Sequence, residues 1–209
     1  LDAFQRAKFV LLNPSSCWDT IAAEPTSIKD IYLKYIMYLA LLPAVGGLIG
    51  LSLVGITIPG LGTWHAPFFS NLVGQIVGYG VALASVYVGA LVIQFLAPKF
   101  GGSNDLVGAA KLLAYSFTPA WVAGILQIIP VLGLLSILLL LYGIFIFAQG
   151  PTKVLAVPQE KRLVFTAASI VSIFVVQIIL GVLIHMASPV PSFPNPSVTA
   201  DDLKGLLQQ

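Results

Sequence analysis

The segment Ala114–Gly133, AYSFTPAWVAGILQIIPVLG, is apolar enough to cross a membrane, yet it carries Pro119 in mid-run, Trp121 two residues later, and Pro130 closely followed by Gly133. Proline has no N–H to donate and disfavours helix at the residue before it. Pro130 with Gly133 therefore reads as a tight turn between two membrane helices. Pro119 lies inside the first of them. It deprives the Tyr115 carbonyl of its usual partner and predicts a kink, with Ser116 and Thr118 as candidate local donors. Trp121, adjacent to the bend, is expected to pack inside the bundle and fill the space the bend opens, with gating as a second reading.

Outward from this stretch the chain stays apolar. Hydrophobic residues make up 58% of the 209 residues and charged residues 9%, with a mean hydropathy of +0.98. A soluble domain has about 25% charged residues, so lipid is the solvent this composition suits. No Asp, Glu, Lys or Arg occurs in 35–98, 112–152 or 163–200. A spanning helix needs roughly 20 apolar residues. The first block holds two such helices split by IPGLGTWHAP, the second holds two, and the third holds one, ending before SPVPSFPNP. The expected fold is an all-α membrane protein with five transmembrane helices. All ten basic residues except Lys204 fall at one end of these helices. The positive-inside rule then places the N-terminus in the cytoplasm and the C-terminus outside, in a multi-pass protein of the cell membrane (the inner membrane if the source is bacterial).

Three regions follow: an interfacial N-terminal segment over 1–34, a five-helix transmembrane domain over 35–187, and a Pro-rich exoplasmic tail with a short helix over 188–209. The start lacks the pattern of a cleavable signal peptide. In the N-terminal segment, Ser16 with Asp19 and Ser27 with Asp30 have capping-box spacing. Trp18 and Ile21 share one helical face, which suits a helix lying at the membrane surface, with a partner-docking helix as the sharper alternative. Tyr32, Tyr35 and Tyr38 sit where aromatic rings anchor at headgroups. Cys17 reads as an inert thiol on the cytoplasmic side, open to an impermeant reagent applied there. Gly46 with Gly50, and Gly74 with Gly78, fit the small-xxx-small pattern of close helix contact, first within the protomer and second between copies.

Charge well inside a span marks ion paths and proton relays, and none occurs. Asn71 and Gln75 share a face, with Tyr79 one turn on. With Trp121 and Gln127 they are candidates for a polar lining, against the plainer reading of hydrogen bonds between helices. His65 and His185 fall on the outer side with no Cys, Asp or Glu near them, a poor set for a metal. There is no buried carboxylate pair, nucleophile elbow or phosphate loop, so no enzyme, cofactor or nucleic-acid partner is expected.

Two short motifs carry a resemblance. KDIYLKY supplies Asp30 and Tyr32 of a D-L-Y-G-P pattern before the first span, with Leu33 and Lys34 in place of Gly and Pro. AYSFTP supplies Tyr115 and Pro119 of G-Y-x-x-x-P, with Ala114 in place of Gly. With the matching topology, the chain resembles the Yip domain family (Ypt/Rab-interacting proteins), and LNPSSCWDTIAAEPTS resembles its bacterial branch. The resemblance implies five spans, a cytoplasmic N-terminus and a short exoplasmic C-terminus. Eukaryotic relatives act in vesicle traffic and bind Rab GTPases through a longer N-terminal domain. That role does not carry over to a chain with so short a prelude.

The leading expectation is a non-enzymatic scaffold or adaptor that contacts membrane lipids and other membrane proteins or itself. The alternative is a channel or carrier for a small neutral solute or a lipid. A third reading, a metal-linked protein using His65 and His185, is weaker.

Overall fold

The computed structural model describes residues 2–58 and 62–187. The expected Pro-rich tail and Lys204 lie outside the described residues. Two short helices, α1 (Ala3–Leu12) and α2 (Cys17–Ala23), precede five helices long and apolar enough to cross a membrane. These are span one Ile28–Val54, span two Phe68–Phe100, span three Leu106–Ile128, span four Pro130–Val154 and span five Gln159–Val182, the last helix continuing to Ala187. A small antiparallel pair, β1 (Ile56–Ile58) and β2 (Gly62–Trp64), lies between spans one and two, with Thr57 opposite Thr63. Among the described residues it is the one departure from the all-helical expectation.

Local chemistry explains the helix boundaries. Ser27 caps span one: its Oγ accepts from Asp30 N at 3.1 Å and donates to the Asp30 carboxylate at 2.6 Å, so the expected pair meets through the serine hydroxyl. Ser16 makes no such cap. It sits in a helical conformation, and Cys17 N already donates to Asn13 O at 2.9 Å. Asp2 caps α1 and Asp105 caps span three through their carboxylates. Gly101, at φ 85°, closes span two in the left-handed conformation. Ser103 N and Oγ donate to Leu155 O at 2.7 and 3.1 Å. That tie joins the loops after spans two and four, so Lys99 and Lys153 lie at the same end of the bundle.

Span three is the central helix. Of its most apolar window 72% is buried, against 33% or less in each of the others. Spans one, two and four pack on it, and span five packs chiefly on span two. Glycines in span one set the closest approach: Cβ atoms at Gly46 and Gly50 would run into the carbonyls of Gly124 and Gln127 in span three. Gly74 and Gly78 have open space around them, so that half of the expected small-residue packing within the protomer is absent. The small-xxx-small pattern marks where backbones are able to meet, and only neighbouring helices decide whether they do.

The N-terminal helices close the remaining gap. Trp18 and Ile21 share a face as expected, but the face is turned into the bundle: Trp18 is fully buried and Ile21 nearly so. The Trp18 indole Nε1 donates to Ile146 O at 3.1 Å. That carbonyl is free because Gly150 N donates to Phe147 O instead, as the long α-helix of span four ends at Gln149. Tyr142 Oη donates to Leu11 O at 2.6 Å. An amphipathic helix looks the same in sequence whether its apolar face meets lipid or protein. Here the free Ile146 carbonyl and the Tyr142 hydroxyl of span four select protein.

Candidate functional site

The break in span three is built as the prolines require. The α-helix Leu106–Ser116 stops at Phe117, resumes over Thr118–Ala123 and tightens to a 3₁₀ turn over Gly124–Ile128. Ile129, before Pro130, is extended and makes the turn into span four. The Tyr115 carbonyl, left without its usual i+4 donor by Pro119, accepts from Thr118 Oγ1 at 2.7 Å. Tyr35 Oη lies 2.6 Å from the same Thr118 Oγ1. Because the threonine proton is committed to Tyr115 O, Tyr35 must be the donor in this second bond. The order is therefore Tyr35 O–H to Thr118 O–H to Tyr115 C=O. Ser116 Oγ, the other candidate, is buried without a partner among the described residues.

Around this relay sits an aromatic cluster. The Tyr35 and Tyr115 rings are 4.8 Å apart, and Trp121 lies 6.4 Å from Tyr35 and 6.0 Å from Phe117. Trp121 is 6% exposed and packs inside the bundle beside the break. Of the three tyrosines expected at the headgroups, only Tyr38 is exposed. Tyr35 turns inward, and Tyr32 Oη donates to Leu83 O at 2.8 Å, tying span one to span two.

At the basic end, α1, the residues after α2, and spans one and three surround a half-open polar pocket of about 160 Å³ lined by Arg6, Glu24, Asp30, Lys34, Tyr35 and Tyr115. Its charges are paired except for Asp2, which also lines it and makes no ion pair among the described residues. One guanidinium nitrogen of Arg6 holds Glu24 at 2.6 Å, and Lys34 holds Asp30 at 2.7 Å. Arg6 also lies over the Tyr115 ring, 5.9 Å from its centre, and its second terminal nitrogen is buried with no partner among the described residues. Lys111, only 7% exposed, donates to Ile21 O at 2.8 Å and Glu24 O at 2.6 Å. It thereby satisfies carbonyls that α2 leaves open at its C-terminus. In sequence Lys111 reads as a surface residue at the foot of span three; α2 covers it.

Of the motif residues, Asp30 and Tyr115 meet in this pocket, Tyr32 faces span two, and Pro119 lies one turn beyond Tyr115. Arg6, Glu24 and Lys111 had no sequence signal, because nothing local marks a helix that folds back onto a span.

The other polar candidates lie elsewhere. Asn71 Nδ2 donates to Ser52 Oγ at 2.8 Å and approaches Gly47 O and Leu48 O at 3.3 and 3.4 Å. Gln75 Nε2 donates to Asn71 Oδ1 at 3.1 Å, and Tyr79 Oη to Met37 O at 3.0 Å. The Asn71 and Tyr79 bonds join spans one and two, and the Gln75 bond lies within span two. Gln127 lies beside Gly46. None of these four residues lines the polar pocket, the cleft between spans three, four and five, or the shallow groove between α1 and span one.

Cys17 is fully buried, and burial pushes its thiol up to about 11. The expectation that an impermeant reagent reaches it is therefore corrected. His65 is exposed, and the His185 side chain lies outside the described residues. Among the described residues, no three His, Cys, Asp or Glu side chains are grouped to hold a metal.

Comparison with known proteins agrees with this architecture. The chain is 22% identical to the inner membrane protein YohC of Escherichia coli K12 over 173 residues, covering 81% of this chain and 89% of that one. The same figures hold for YohC of Escherichia coli O6:H1. No solved structure matches. A family model described as the Yip1 domain matches residues 8–181, from within α1 to the end of span five. With five spans, a broken third helix and Asp30 and Tyr115 in one pocket, this integral membrane protein belongs to the Yip1 domain family.

Proposed function

We propose that the protein is a non-enzymatic organiser of a bacterial inner membrane, a scaffold whose basic, cytoplasmic end presents a polar pocket to a protein or lipid partner. The observation that carries this reading is the docking of α1 and α2 onto spans three and four around Arg6, Asp30 and Tyr115. That docking makes a shaped recognition surface from what would otherwise be a loose leader. The inner-membrane location follows the name of the YohC relatives. The cytoplasmic assignment follows the basic residues gathered at that end.

The carrier reading loses support from Asn71 and Tyr79, whose polar groups bond span two to span one, and from Gln75, whose amide donates to Asn71 within span two. Such bonds hold membrane helices together by about 0.6–2 kcal/mol each.

Purified protein in liposomes tests the proposal. No flux of glycerol or sorbitol above that of empty vesicles is expected. A photoreactive amino acid at Thr26, on the pocket rim, is expected to give a discrete adduct in native membranes that Arg6→Ala abolishes. Robust solute flux, or a labelling pattern indifferent to Arg6, contradicts the scaffold.

A further inference from the structure

Spans three, four and five leave between them a cleft of about 320 Å³, lined by apolar side chains with Ser116 and Gln177 as the polar exceptions. Its floor is tight: a Cβ at Gly143 would lie 2.8 Å from the Ser116 carbonyl, so spans three and four touch there. Its inner wall is Leu113, Ser116 and Ala120, and its outer rim is Leu140, Ile144 and Phe174, which are 48%, 36% and 65% exposed. The cleft therefore opens sideways between spans four and five, at the middle of helices long enough to cross a bilayer.

An apolar cavity of about 150 Å³ is enough to hold a benzene molecule, so this one has room for a longer hydrocarbon. What surrounds such an opening in a membrane is acyl chain. Ser116 is 4% exposed and its Oγ has no partner among the described residues, so the wall holds a hydroxyl that the fold leaves unsatisfied. Toward the basic end, Arg162 is eight residues before Ile170, about 12 Å of helix rise. The headgroup layer occupies the outermost 5–8 Å or so of each leaflet. Lys161 and Arg162 make no ion pair among the described residues, whereas Lys153 is paired with Asp19 at 2.6 Å. The Arg162 Nε is also without a partner among them.

From this apolar slot, with two unpaired cations about 12 Å from it toward the basic end of span five, we infer that the cleft holds one acyl chain of an anionic phospholipid whose phosphate rests on Lys161 and Arg162. The inference deepens the scaffold reading by naming lipid as a resident partner. It is tested at a different place from the Arg6 pocket, so either is able to fail alone.

The test uses the full chain in nanodiscs containing phosphatidylglycerol with a diazirine in one acyl chain, and phosphatidylcholine with the same label as control. Labelled peptides are read by mass spectrometry. Adducts on the cleft residues Leu113, Ala120 and Ile173, of which Leu113 is 1% exposed, are expected with phosphatidylglycerol. They should fall at least fivefold with phosphatidylcholine or in the Lys161→Gln/Arg162→Gln variant. Ala120→Phe, which fills the slot, should abolish inner-wall labelling and leave labelling of the outward Val175 intact. Adducts confined to Val171, Val175 and Leu138 in the wild-type chain overturn the inference without any need for a variant. So does equal inner-wall labelling by both lipids, or a co-purified isoprenoid that blocks labelling.

Discussion

Replacing Thr118 by valine keeps the side-chain shape and removes one hydroxyl, and the consequences are set by the relay it occupies. Thr118 is fully buried and Tyr35 is 3% exposed, so water does not replace the lost bonds. Two groups are stranded: the Tyr35 hydroxyl, 2.6 Å from the missing oxygen, and the Tyr115 carbonyl, 2.7 Å from it. A buried polar group left unpaired costs about 1–3 kcal/mol. Bonds between membrane helices average about 0.6 kcal/mol and reach about 1.7, which pulls the estimate to the lower half of that range. The expected loss is about 2–4 kcal/mol. Tyr35→Phe removes the donor itself and leaves the threonine on Tyr115, so it should cost only about 0.5–1.5 kcal/mol. Pro119→Ala restores an N–H in reach of the Tyr115 carbonyl. The double variant Thr118→Val/Pro119→Ala should therefore be less damaged than the sum of its parts by roughly 1 kcal/mol. Equilibrium unfolding in mixed micelles with rising SDS gives all four numbers. If Thr118→Val stays within about 0.5 kcal/mol of wild type, or the double variant is additive, the hydroxyl does not compensate for Pro119 and the reasoning is wrong.

Other outcomes follow from the same packing. Gly46→Ala should destabilise by about 1–3 kcal/mol, since the methyl meets a main-chain carbonyl that has no rotamer to yield, while Gly74→Ala and Gly78→Ala should be neutral or slightly stabilising in the same assay. Cys17 should resist maleimide at pH 7.5 in folded protein and react on unfolding. Because its folded pKa is raised from 9.0 to about 11, the protein keeps this contribution below pH 9 and loses it as pH climbs from there toward 11, which a pH series of melting temperatures will show. Lys111→Met should loosen α2 by exposing the Ile21 and Glu24 carbonyls, read as faster proteolysis within the first 27 residues without loss of the five-span core.

Much of the fold was legible because lipid imposes simple rules. Charge-free blocks fixed the number of spans, Pro119 and Pro130 fixed where span three breaks and ends, and Thr118 could be named as a partner for Tyr115 because the donor is local. Trp121 was placed in the interior on the same grounds. Tyr35 was misjudged because its neighbours Tyr32 and Tyr38 suggest a headgroup belt, and only the rotation of span one turns it inward. Trp18 differs from its expectation for a related reason: it looks interfacial until span four, far away in sequence, receives it. The cleft was not legible at all, since it arises from the divergence of spans four and five, two helices with ordinary apolar faces.

The central claim is that α2 is part of the folded bundle rather than a helix resting on lipid. Amide hydrogen exchange on Cys17–Ala23 in nanodiscs tests it most directly. Protection approaching that of Leu106–Ser116, lost in Trp18→Ala while spans two and three stay protected, is the predicted result. Exchange of Cys17–Ala23 within seconds in the wild-type protein would contradict it.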